Sequence, residues 1–307
     1  MNTIEVRDLT KAYQKTVVLD GISLQVGSGV HALHGPNGAG KTTLINILST
    51  LIQPDSGSVT VLGLDVTTNA RLVRARISAT GQFATVDDLL TGTENIIMMA
   101  RLLGMPAKSA SRRANELLNQ FDLISAGNKR VATYSGGMRR RLDLAISLIG
   151  VPEVLFLDEP TTGLDTGSRQ TLWREIRALA ANGTTVFLTT QYLEEADVLA
   201  DRITVLDRGT IVAQGTPSEL KTRVGGTVVQ VHDEAGNVVD EHTTDGTASD
   251  LSRLLDDLAT RVPEAQIALH RPTLDDVFVH LTGKPPPREN VETDSNLPAI
   301  EKSGALR

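Results

Sequence analysis

The chain has 307 residues, no cysteine and a formal net charge of −7. That length holds one large domain and a smaller one, and the missing thiol excludes disulfides, thiolate metal sites and cysteine nucleophiles while fitting a reducing compartment. The acidic balance argues against sequence-independent nucleic-acid binding, which needs a basic face to displace phosphate counterions.

The first residues, Met1 to Asp8, lack the basic-then-apolar order of a secretory signal. The apolar stretch 142–157 is interrupted by Asp143, Pro152 and Glu153 and is too short to span a bilayer, so a membrane role has to run through a partner. From Ile4 to Leu220, short β-branched runs alternate with helix-period runs, the pattern of an α/β domain with a mostly parallel sheet. Its buried strands are expected at 30–34, 77–80, 154–157, 185–189 and 203–206. Between Phe83 and Ile149 the strand signal gives way to helices over 94–103, 108–121 and 137–148, which reads as a helical insertion. Gly215, Thr216 and Pro217 introduce a short helix through Lys221, and Gly225-Gly226 marks a boundary. An α+β appendage follows, with a strand at 227–231 and a helix at 248–258. Pro285, Pro286 and Pro287 open a polar stretch that reads as a disordered tail. The expected division is a domain over 1–224 with a helical subdomain over about 83–150, an accessory domain over 225–283, and a tail over 284–307.

Chemistry concentrates after two of the strands. Gly35, Pro36, Asn37, Gly38, Ala39, Gly40, Lys41, Thr42 and Thr43 follow the strand ending at His34 and open a helix through Ser49, which is both the P-loop pattern and its required context. Backbone N–H groups turned inward by the glycines, with the helix N-terminus behind them, can cradle phosphates. Lys41 is placed to neutralise the β- and γ-phosphates of ATP, and the Thr42 hydroxyl to ligate Mg²⁺. The apolar strand 154–157 ends in Asp158 and Glu159, which lie at the same sheet edge as the P-loop. An Asp-Glu pair alone is usually a solvated strand end. Beside a P-loop, Asp158 becomes the Mg²⁺ residue and Glu159 the base that orients and deprotonates water.

Ser135, Gly136 and Gly137 again set glycine at a helix start, a second anion-site pattern that alone reads as an ordinary cap. Taken with the P-loop, Asp158-Glu159-Pro160 and Gly163-Leu164-Asp165, in that order, the chain resembles the ABC ATPase family over roughly 4–221. The resemblance implies a P-loop ABC ATPase fold: a mixed, mostly parallel sheet with a helical subdomain, plus the small α+β appendage. It implies a head-to-tail homodimer with two shared sites, in which Ser135, Gly136 and Gly137 of one copy close over ATP held by Lys41 of the other, with Asp165 among the nucleotide-binding residues. It also implies that Tyr13 stacks on adenine and that Gln82 reaches Mg²⁺ and the attacking water. In the family's usual histidine position stands Gln191, whose amide donates a hydrogen bond to the γ-phosphate but carries no charge.

The run from Tyr134 to Asp143, the run from Thr189 to Asp197 and Arg271 to Phe278 narrow the resemblance to daunorubicin-resistance-type exporters of drugs, antibiotics and lipids. That implies a peripheral subunit on the cytoplasmic face of the membrane, serving a separate ABC-2-type permease. A soluble ABC ATPase of translation or repair, or a low-turnover regulatory subunit, remain alternatives. Arg139, Arg140 and Arg141 point in different directions along a helix and read as a solvated face, and the histidines show no metal-ligand spacing.

Overall fold

The computed structural model describes residues 2–81, 86–224, 227–233, 237–262 and 266–283. Gln82, the Gly225-Gly226 boundary and the tail at 284–307 lie outside the described residues. Strands β1 (Ile4–Tyr13), β2 (Thr16–Val26), β4 (Ser56–Val61) and β5 (Leu64–Asp65) form an antiparallel sheet in the order β2-β1-β4-β5. The central sheet has the order β10-β9-β3-β8-β7-β6, built from β3 (Val30–His34), β6 (Ile77–Thr80), β7 (Val154–Asp158), β8 (Thr185–Thr190), β9 (Arg202–Asp207) and β10 (Thr210–Gly215). All its neighbours are parallel except β10, which turns back on β9.

Burial on both faces explains the unbroken apolar runs of the central strands. Alternate residues of β7 enter different cores: Leu155 and Leu157 face the helical layer, Val154 and Phe156 face the antiparallel sheet. In β8, Val186 and Leu188 divide from Phe187 in the same way. Helix α1 (Lys41–Leu48) and α2 (Ala70–Arg74) lie with the antiparallel sheet. The helical insertion comprises α3 (Gly92–Leu102), started by a Thr91–Glu94 capping box, α4 (Ala107–Gln120) and α5 (Gly136–Ser147). Ile96, Ala100, Ala110, Ala114, Leu117 and Phe121 close its interior. Helices α6 (Thr166–Ala181), α7 (Leu193–Leu199) and α8 (Pro217–Thr222) complete that layer.

The appendage is a three-stranded sheet in the order β12-β11-β13, from β11 (Thr227–His232), β12 (Val238–Thr244) and β13 (Gln266–His270), covered by α9 (Ala248–Arg261). Its own core is small: Val229, Val231 and Leu258. Helix α10 (Leu274–Thr282) leaves it and packs against α7 and α8, where Leu274, Val277 and Phe278 join the main core. Phe278 meets the His34 ring edge-on, 5.3 Å between centroids, directly before the P-loop. Truncating Phe278 to Ala should therefore lower the stability of the whole main core by about 3–5 kcal/mol. Calorimetry checks this: the main transition itself should shift, whereas loss confined to a small separate transition would place α10 in the appendage alone.

Candidate nucleotide site

The C-terminal ends of β3, β8 and β7 lie side by side, and the functional residues hang from that edge, where ligands bind in open α/β sheets. After β3 the chain turns through the P-loop into α1. Gly40 sits at φ +108° as the residue before the helix, and a Cβ there would stand 2.7 Å from a Leu19 methyl and 2.9 Å from the Val18 carbonyl. Only glycine fits that turn. The Lys41 ammonium is folded into the loop, donating to the carbonyls of Gly35 at 2.7 Å and Pro36 at 3.2 Å.

Glu159 follows β7 with φ +47°, a left-handed conformation rare for a side chain with a Cβ. Its amide donates to the Thr189 hydroxyl at 3.0 Å, and its carboxylate accepts from Thr162 at 3.2 Å and pairs with Lys41 Nζ at 3.1 Å. Both partners of that ion pair are buried, at 5% and 8% exposure, so each is the other's compensation in a poorly solvated place. The neighbouring Asp158 carboxylate accepts from Thr189 Oγ1 at 2.5 Å. A cavity of about 690 Å³ opens over this arrangement, lined by Asn37, Gly38, Gly40, Lys41, Thr42 and Thr43 of the P-loop together with Val18, Glu159, Thr162 and Gln191.

Other expected site residues stand apart from that cavity. Ser135 caps α5, accepting from the Met138 amide at 3.2 Å, and Ser135 and Gly136 are exposed. Gly137 is buried against α6, where a Cβ would run into the Ser168 hydroxyl. Asp165 caps α6, accepting from the Ser168 hydroxyl at 2.6 Å and its amide at 2.9 Å, contacts that hold its carboxyl below the ordinary aspartate range. Tyr13 is 47% exposed at the end of β1, with Lys11 Nζ 5.8 Å from its ring centre.

The arginine run is not a solvated face. Arg139 pairs with Asp88 at 2.6 Å, Arg141 donates to the Phe121 carbonyl at 3.0 Å, and the Arg140 side chain is only 11% exposed. Consecutive helical positions do diverge, but here each direction meets protein, because α5 is enclosed by the insertion on one side and the central sheet on the other. Sequence reasoning also missed Thr189 and Thr162, which orient the two carboxylates. Thr162 stands only three residues beyond Glu159, whereas Thr189 comes opposite Asp158 only through the strand register.

A phosphate loop opening a helix, an Asp-Glu pair across one strand from it and a shared cavity define a P-loop nucleoside triphosphatase. The chain matches the ABC transporter family over residues 19–162. Daunorubicin resistance ATP-binding protein DrrA2 of Streptomyces coeruleorubidus is 51% identical over 302 residues, spanning 90% of this chain and 93% of that protein. Nod factor export ATP-binding protein I of Paraburkholderia xenovorans is 37% identical over 296 residues, spanning 92% and 97%. The dimeric post-hydrolysis structure of the ATP-binding cassette MJ0796, bound to ADP and Pi, superposes with a TM-score of 0.63 at 24% identity, over 69% of this chain and 98% of that one. This chain belongs to the ATP-binding proteins of the ABC transporter family and is an ATPase. No helix among the described residues is long and apolar enough to cross a membrane.

Two buried histidines lie within β3, the strand that leads into the P-loop. Burial lowers His31 to about 4 and His34 to about 3, with Arg202 and Lys41 adding to the respective shifts. Both folded values lie below that of the unfolded chain, so their contribution is fully present above pH 6.5 and is lost as pH falls toward 4 and 3. Each should cost about 1.4 kcal/mol per pH unit within that window. Glu195, raised by burial, works in the opposite sense, so the histidine share is read from a difference. Urea unfolding of wild type and His34→Leu at pH 7.5 and 5.5 should show the variant losing less stability on acidification. Equal losses would place the titration elsewhere.

Proposed function

We propose that this chain is the energising subunit of an exporter, binding Mg-ATP between two head-to-tail copies of itself and driving efflux of a drug, antibiotic or lipid through a separate ABC-2-type permease. It would sit at the cytoplasmic face of the membrane, held there by that permease. The observation that carries this reading is the buried Lys41–Glu159 pair at the floor of the P-loop cavity. The drug-resistance and Nod factor export names of its relatives support the direction and the class of cargo. Residues 1–224 form the motor on this reading, and 225–283 an accessory domain.

Incoming phosphates compete with Glu159 for the Lys41 ammonium and release the carboxylate to face water, so that substrate binding itself arms the base. Thr42 and Asp158 supply hard oxygen donors of the kind Mg²⁺ takes alongside substrate phosphates, and among the described residues no group of three or more His, Cys, Asp or Glu could hold an ion without such help. Mg²⁺, when bound, supplies charge neutralisation on the phosphates. Gln191 contributes a hydrogen-bond donor at the cavity wall. Ser135, Gly136, Gly137 and Asp165 stand outside this chain's own cavity, which suits delivery to the ATP of a second copy. Tyr13 remains the proposed adenine platform and Gln82 the proposed link to metal and water.

Glu159→Gln should keep ATP binding and lose turnover by about 100-fold or more, the scale of removing a general base. Lys41→Ala should abolish nucleotide binding, and retained affinity by titration calorimetry would remove its assignment. Replacing Gln191 with His should introduce an ionisation near pH 6.5 into the pH–rate profile that wild type lacks; a large gain in rate would show that the amide handicaps this ATPase. Purification of the chain from its own membranes in Mg-ATP tests the transport reading. A polytopic permease at matched stoichiometry supports it, and recovery of ribosomal or repair proteins alone overturns it.

A further inference from the structure

The largely enclosed guanidinium of Arg140 joins three parts of the molecule. From α5 it donates through Nε to the Pro160 carbonyl at 2.7 Å, through Nη2 to the Asp158 carbonyl at 3.3 Å, and through Nη1 to the Gly81 carbonyl at 3.1 Å and the Asp143 carboxylate at 3.2 Å. Asp158 and Pro160 flank Glu159, so Arg140 holds the backbone on both sides of a non-glycine residue with a left-handed φ. Gly81 follows the last residue of β6, the edge strand of the central sheet. An arginine suits this place: its planar fork carries donors in several fixed directions, which a lysine ammonium on a flexible stem does not. Burial lowers its pKa, while Asp143, Glu195 and Asp158 act against that shift. A solvated side chain would keep the charge cheaply in water, so its enclosure among carbonyls is a specific arrangement.

Arg140 lies five residues beyond Ser135, near the start of the helix whose cap and first residue, Ser135 and Gly136, are exposed. We propose that Arg140 is a positioning residue that transmits movement of α5, when its first turn meets nucleotide on a second copy, to the backbone around Glu159 in its own site. The proposal rests on the reading of Glu159 as the base and of the α5 turn as acting across the dimer. Each site's base would then be aligned by engagement at the other site, and the two hydrolysis events would be linked through a side chain that touches neither nucleotide.

The test uses the purified full-length chain and its Arg140→Lys and Arg140→Met variants. Affinity is followed with a fluorescent ATP analogue, turnover as a function of ATP concentration, and dimerisation by gel filtration in a Glu159→Gln background. Both variants should hold ATP within about twofold of wild type and still dimerise in that background. Their kcat should fall about tenfold or more, the scale of a small misplacement of a reacting group, and the dependence of rate on ATP should lose its cooperativity. Should the Met variant not fold, the Lys variant decides alone. A folded Arg140→Lys chain with wild-type kcat and cooperativity overturns the proposal while leaving the dimeric ATPase intact, and so does a loss confined to ATP affinity with kcat unchanged. If Glu159→Gln alone stays monomeric in ATP, the two-copy reading falls and this proposal falls with it.

Discussion

An ammonium and a carboxylate kept out of water stabilise a protein only when geometry compensates both, and the Lys41–Glu159 pair sets that requirement at the centre of this molecule. The two side chains follow different strands, Lys41 opening α1 after β3 and Glu159 coming directly after β7, with β8 between those strands. Their approach therefore depends on the parallel register of three neighbouring strands, on a glycine turn tight enough to aim Lys41 back into its own loop, and on a left-handed backbone at Glu159. Thr189 at the end of the middle strand fastens both Asp158 and the Glu159 amide. The double burial of the central strands follows from the same demand: a sheet covered on both faces holds its edge residues still.

The strands that carry this edge were legible in the sequence because burial on both faces leaves continuous apolar runs, and β3, β6, β7, β8 and β9 fall within a residue or two of the expected spans. The helices of the insertion were legible from their period and caps. The antiparallel sheet of β1, β2, β4 and β5 was not separated from the parallel one, because the pairing that joins its two hairpins, β1 with β4, is made between segments far apart in sequence. Nor could spacing show that α10 leaves the appendage to pack on α7 and α8 and reach His34, since the pattern of Leu274, Val277 and Phe278 marks an apolar face without naming what covers it.

The site divides along the same line. The P-loop and Asp158-Glu159 are local in sequence, so their chemistry could be read from order and context. Thr189 and Arg140 act only through what folding brings to them. Arg140 is the clearest instance: from sequence it is the middle of three consecutive charges, and consecutive charges on a helix are ordinarily wet. Its partners come from Gly81, Asp158 and Pro160, and no one-dimensional pattern relates those carbonyls to α5.

Charge balance gives Gln191 its meaning. The described cavity holds one ammonium and one carboxylate, which neutralise each other before nucleotide enters. Triphosphate brings several negative charges, and a histidine at position 191 would be available to answer one of them when protonated. The amide answers with a dipole alone. On the proposed reading, compensation at the γ-phosphate then rests more heavily on Lys41, on the metal and on donors delivered by the second copy than it would with an imidazole in place. A site short of one titratable cation in its own chain gains more from closure by a partner, because closure both brings donors and removes the water that would otherwise screen the phosphates.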